Sequence, residues 1–240
     1  MIHRSSLGTT FALCLCLPAI GTAQQSPDQV RESIEKKLKK EKITLQVEVS
    51  GANAVLTGRV RNVFAKDSAV AIALEHPEVE EVEANVEIAT AESEAELGKE
   101  VANQLRRYGN FTVFDDAGAI VKEGSVVLMG FVTEPYKKTG LEKRLYKVLG
   151  IQEFDNQIKV LPNLTQDVRL RRTLANRLYR DPMFSDFASM SIPPIHIIVE
   201  RSRVLLTGVV SNEMMKLRAE QIIRTTSGVL SVENRLQVGG

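Results

Sequence analysis

One strand pattern, each copy interrupted by a glycine, occurs three times in the chain: AVLTGRV at 54–60, VVLMGFV at 126–132 and VLLTGVV at 204–210. Glycine inside a strand gives up backbone entropy and packs no side chain, so it marks a place where another element comes close. Counted from Gly58, Gly130 and Gly208, apolar residues recur in step. Ala69, Leu141 and Ala219 stand eleven residues on, and Ala73, Leu145 and Ile223 fifteen on. That four-residue spacing is one face of a helix. Val82, Phe154 and Val232 then stand twenty-four residues on, Val86, Ile158 and Leu236 twenty-eight, and Ile88, Val160 and Val238 thirty. The even spacing of this last group is that of a strand.

Upstream of each glycine lies a second stripe at i, i+4, i+8: Val30, Ile34 and Leu38; Leu97, Val101 and Leu105; Leu170, Leu174 and Leu178. Such a stripe must be buried against something. The chain therefore reads as α+β, three tandem αββαβ units, each a three-stranded mixed sheet with two helices on one face. The units are placed at 24–89, 97–161 and 167–238. The glycines are structural in this reading. Each is expected to let the second helix of its unit lie close to the sheet.

The repeat V-x-L-x-G-x-V, a helix, then G-V-x-x-V-x-N-x-L-x-V resembles the BON domain. GVLSVENRLQV at 228–238 and GIQEFDNQIKV at 150–160 follow the pattern. HPEVEEVEANVEI at 76–88 departs from it, lacking the glycine and carrying Ala84 where the other copies have Asn156 and Asn234. The resemblance implies a bacterial envelope protein of the kind of the tandem-BON, osmotically inducible periplasmic proteins. It also implies a binding role at phospholipid surfaces.

Residues 1–23 read as a cleavable export signal: His3 and Arg4, an apolar run from Phe11 to Leu17, then Gly21 and Ala23 before Gln24. Cys14 and Cys16 both fall inside it, preceded by Leu13 and Leu15 where lipoprotein processing wants a small residue. After cleavage no disulfide, thiolate metal site or cysteine nucleophile remains. Together with the resemblance, the signal implies a periplasmic location, in association with a membrane surface.

No motif for nucleophilic, metal, phosphate or dinucleotide chemistry occurs. His76 and His196 stand alone, and within the acidic run 78–96 Glu80, Glu81, Glu83 and Glu87 lie on the solvated side of a strand and its turn, without calcium-loop spacing. The chain reads as a non-enzyme with no cofactor, no metal and no small-molecule substrate. Its charge is nearly balanced, 31 basic residues against 30 acidic, which argues against a general polyanion binder, and export argues against nucleic acid as a partner. The distribution is uneven, however. Residues 28–89 carry 9 basic and 12 acidic side chains, residues 167–238 carry 11 and 7.

Two basic features are candidate anion contacts. Lys66, Lys138 and Lys216 recur eight residues after each glycine. DVRLRRTLANRLYRDP at 167–182 places Arg169, Arg172 and Arg180 along one flank of its apolar stripe, with Arg177 near the border. Arginine's planar fork suits phosphate. The expected partners are anionic phospholipid surfaces or envelope proteins. The alternative is a chaperone-like binder of unfolded or outer-membrane clients.

Overall fold

The computed structural model describes residues 25–91, 93–190 and 193–239; the export signal lies outside these. Among the described residues three helix–strand–strand–helix–strand segments follow one another, giving six α-helices and three mixed sheets. The first holds α1 (Pro27–Lys40), β1 (Gln46–Ser50), β2 (Asn53–Val60), α2 (Val63–Leu74) and β3 (Glu81–Ile88). The middle one holds α3 (Glu94–Arg106), β4 (Asp116–Lys122), β5 (Ser125–Val132), α4 (Pro135–Leu145), β6 (Glu153–Asn156) and β7 (Lys159–Val160). The third holds α5 (Thr165–Tyr179), β8 (Ile195–Glu200), β9 (Arg203–Val210), α6 (Glu213–Arg224), β10 (Ser231–Asn234) and β11 (Gln237–Val238).

In every segment the glycine strand is central, antiparallel to the strand before it and parallel to the one after α2, α4 or α6. The apolar stripes of both helices and one sheet face form a core in each segment. Local chemistry sets the boundaries. Ser26 and Gln29 make a reciprocal capping box on α1, and Asn62 and Asn212 cap α2 and α6. Hairpin tips are pinned from the first helix of the segment. Glu94 accepts from the Glu123 N–H at 2.8 Å, and Asp167 accepts from Arg201 and Ser202 at 2.6 and 2.9 Å. Those tip residues adopt positive φ without being glycine, Glu123 and Arg201 both at 50°.

The central glycines do sit between buried neighbours, Leu56 and Val60, Leu128 and Val132, Leu206 and Val210. Their reason for being glycine differs from the expected one. All three have positive φ, 134°, 124° and 111°, and what lies close is the chain entering the first strand, not the second helix. A Cβ on Gly130 would overlap the Asp116 carbonyl oxygen, and one on Gly208 the Pro194 carbonyl oxygen. That carbonyl is drawn across Gly208 by a bond from the Val209 N–H at 3.0 Å. At Gly58 the neighbour is only the tip of Leu45, 3.1 Å away. The glycine pinches the hairpin.

The last strand divides the copies. β3 runs unbroken for eight residues, whereas its counterparts are split into β6 and β7, and into β10 and β11. The split falls at Asn156 and Asn234. Each carboxamide oxygen accepts from the N–H two residues on, at 3.2 and 3.1 Å, in competition with the ladder. Each amide nitrogen donates to the helix in front, to Glu142 at 2.9 Å and Glu220 at 3.1 Å. Ala84 has no such side chain, and the strand continues.

Gly208→Ala is expected to lower the thermal midpoint of the third segment more than Gly58→Ala lowers that of the first. Positive φ costs both variants roughly 1–3 kcal/mol, but only Gly208 faces a backbone oxygen that cannot swing aside. Scanning calorimetry checks this; equal shifts would place the whole cost in φ.

Candidate functional site

The four arginines proposed for anion binding are all exposed, Arg169, Arg172 and Arg177 on α5 and Arg180 as its C-cap. Its buried face carries Leu170, Leu174 and Leu178. Arg169, Arg172 and Arg180 share the opposite side, and Arg177 leans to the helix border, where it donates to the Thr225 carbonyl at 3.3 Å. Arg169 also lines a shallow cleft with Thr165, Thr173 and Ser227. These side chains form one cationic flank.

Lys66, Lys138 and Lys216 are not brought to it. Each is half-buried on the second helix of its own segment. Two of them sit over the asparagine tie, since the Lys138 and Lys216 carbonyls accept from Asn156 and Asn234 at 3.5 and 3.1 Å. Their recurrence follows that helix–strand seam, and the three do not make a common site.

Between the middle and third segments lies a charged centre that the repeat hid. The Asp115 carboxylate, fully buried, accepts from the Thr112 and Thr133 N–H groups at 2.8 and 2.7 Å and from their hydroxyls at 2.7 and 2.9 Å. The Lys137 ammonium, itself buried, completes the set at 2.6 Å. Burial alone would push the Asp115 pKa up; the Lys137, Thr112 and Thr133 bonds together hold it below the ordinary carboxylate range. From the third segment comes Arg171, buried, its Nη2 donating to the Val199 carbonyl at 2.7 Å. Burial depresses its pKa, while the Asp167, Asp115 and Glu134 carboxylates favour its charged form.

This centre fixes the loop between α3 and β4, through which the middle segment touches the third. The Val113 carbonyl accepts from Ile197 on the β8 edge at 2.7 Å, and Phe114 packs on the third core. Beside it runs a groove of about 910 Å³, with Phe131, Ile198, Leu205 and Leu230 along it and Arg201, Arg203 and Arg235 at its rim. Arg235 is already paired with Glu233 at 2.6 Å, and Lys159 on the same rim with Glu200 at 2.7 Å. His196 and Thr207 face each other across β8 and β9, and His196 Nδ1 and Thr207 Oγ1 are buried without a partner. His76 is buried as well, its Nδ1 accepting from the Glu78 N–H at 3.3 Å. Neither histidine has a nucleophile or acid beside it in a hydrogen bond.

Sequence reasoning passed over Asp115, Lys137 and Arg171, because single charges ordinarily face solvent. For Lys137 a signal existed. Seven residues after the glycine, the other copies carry Ala65, buried, and Met215, which packs on its core.

The BON domain family model matches residues 26–90 and 166–240. No protein of curated function matches the chain. Among solved structures, the chain is similar to the C-terminal domain of CdsD, a structural protein of the type III secretion system of Chlamydia trachomatis. The identity is 18% and the TM-score 0.25, over 90% of this chain and all of that one (100%). It is also similar to the periplasmic domain of the type III secretion inner-membrane protein PrgH from S. typhimurium. There the identity is 13% and the TM-score 0.20, over 82% and 100% of the two chains. Overlaps this loose transfer neither fold nor activity.

Lys137→Met is expected to destabilise the middle segment by about 3–5 kcal/mol near neutral pH, the cost of stranding a buried carboxylate. The folded Asp115 pKa lies below its unfolded value. Its contribution is therefore present above the ordinary carboxylate pKa and lost as pH falls through the depressed one. The penalty of the variant shrinks in strong acid. Urea unfolding at neutral and acidic pH measures it, and a penalty independent of pH would mean that Lys137 acts by packing alone.

Proposed function

The chain belongs to the BON domain family, and on that premise we propose that it is an exported, non-enzymatic envelope protein that attaches to anionic phospholipid surfaces. Residues 97–161 are a third BON unit in this reading, supported by the element order, glycine and helix positions they share with both matched segments and by the asparagine position they share with the third. Residues 24–89 and 167–238 are the outer two. Residues 1–23 are the export signal, which places the work in the periplasm, and support of the envelope under osmotic stress is the corresponding physiological role. The observation that carries the proposal is the exposed flank of Arg169, Arg172 and Arg180 on the most basic unit.

Near an anionic membrane each basic side chain contributes roughly 1 kcal/mol. Changing Arg169, Arg172 and Arg180 together to glutamine is expected to weaken attachment to phosphatidylglycerol-containing vesicles about a hundredfold, at about tenfold per 1.4 kcal/mol. Salt screens the same interaction, so the loss shrinks as ionic strength rises. The fold survives, because none of these side chains enters the core. Co-sedimentation with vesicles of graded charge tests the reading. Equal losses from Lys36, Lys37 and Lys39 changed to glutamine, on the acidic first unit, would remove the third unit as the docking end. Absence of parental binding to charged vesicles would transfer the role to capture of envelope proteins.

A further inference from the structure

The first and middle units join through one face of α2. Asn62, capping α2 through its carboxamide oxygen, donates from its nitrogen to the Lys147 carbonyl at 2.8 Å. The Phe64 N–H donates to the Tyr146 carbonyl at 3.3 Å, and the Phe64 ring lies under the Lys147 ammonium, 4.9 Å from it. Asp67 accepts from the Tyr146 hydroxyl at 2.5 Å. Ile88 packs on both cores, and Val63 enters the middle one.

The third unit carries the same face, uncovered among the described residues. In register with Asn62, Phe64, Asp67 and Ile88 stand Asn212, Met214, Leu217 and Val238. Met214, Leu217 and Val238 are 69%, 64% and 41% exposed. The Asn212 oxygen already caps α6 as Asn62 caps α2. At the other end of the molecule, the first unit has a counterpart of the surface that receives α2, and among the described residues only Lys37, paired with Glu75 at 3.5 Å, reaches across it. In register with Tyr146 and Lys147 stand Leu74, 47% exposed, and Glu75.

The two free surfaces complement each other. Where the joined units set Asp67 against the Tyr146 hydroxyl, the free pair sets Leu217 against Leu74, polar with polar and apolar with apolar. The unit bearing Leu217 has 11 basic and 7 acidic residues, and the unit bearing Leu74 has 9 and 12. On the third unit's own receiving surface, Arg224 holds the Leu74 position and would oppose Leu217 poorly.

We propose that copies of this chain associate head to tail, with Asn212, Met214, Leu217 and Val238 of one copy seated on the Leu74 end of α2 of the next. The contact is heterologous, so it propagates into a ring or a filament. It is shallower than the junction within the chain, because Glu213 replaces the inserted Val63 and Glu80 replaces Gln152, whose amide donates to the Ile88 and Ala89 carbonyls.

Sedimentation velocity on the exported chain tests this. The parent's weight-average sedimentation coefficient is expected to rise with protein concentration. Leu217→Glu and Leu74→Glu, each at an exposed helix position, are each expected to stay monomeric with unchanged circular dichroism. An equimolar mixture of the two is expected to form a one-to-one dimer, since one variant keeps the donor face and the other the receiver. A parent that stays monomeric throughout, either variant assembling like the parent, or a mixture that stays monomeric would each overturn the proposal. So would a monomeric parent that loses vesicle binding on Leu217→Glu, which would give this face to the membrane.

Discussion

A three-stranded sheet with two short helices has too little interior to stand well apart from its neighbours. A domain of about 60 residues buries only about 60% of its unfolded surface, and the rest of this structure is arranged around that shortage. The first unit sends Val63 into the middle core, and Ile88 bridges both. The middle unit sends Phe114 to the third. Side chains crossing a boundary in this way enlarge two cores at once, so what the repeat separates, packing joins. The two junctions are built differently. The first uses a helix end against a helix end, the second a loop held by Asp115 against the β8 edge. A repeat in sequence therefore has no repeat in its assembly.

Asp115 shows why a small unit accepts an ion pair at its centre. Four hydrogen bonds and one ammonium satisfy its lone pairs. Replacing such a group by apolar side chains is often neutral for stability. What the pair supplies here is position. It holds residues 112–115 so that a backbone carbonyl and an aromatic ring reach the next unit together.

The repeat arithmetic was enough to read the element order, both helical stripes, the three strands and the inward positions of the sheet, because burial on a fixed period leaves its mark on every copy. Features present in one copy only left no such mark. Lys137 and Arg171 look like ordinary surface charge, and only the three-dimensional meeting of 112–115 with α4 and α5 makes them interior. The glycines were legible as sites of close approach but not as to what approaches. Their spacing is the same whether a helix or a neighbouring carbonyl lies opposite, and only φ distinguishes the two. The asparagine of the last strand was visible as a difference between copies, yet its effect on the ladder required knowing that Glu142 and Glu220 lie in front of it. The arginine flank of α5 was legible because it follows directly from helical geometry. The lysine series was not, because recurrence at equal offsets does not bring three residues of three units to one place.

The split in the last strand has a consequence for how the protein survives at high local concentration. In each sheet that strand is an outer one, and an outer strand offers unpaired backbone groups to any other chain that arrives. The middle and third units shorten that offer to four residues and two, since Asn156 and Asn234 bend the backbone away from straight pairing. The first unit, with Ala84, keeps a strand of eight residues, its end taken up by Gln152 at the Ile88 carbonyl, and lines it with exposed Glu81, Glu83 and Glu87, which repel a second copy of the same edge. Two unrelated devices thus guard against the same hazard, sheet-to-sheet aggregation, and the copy without the asparagine is the one that carries the charge.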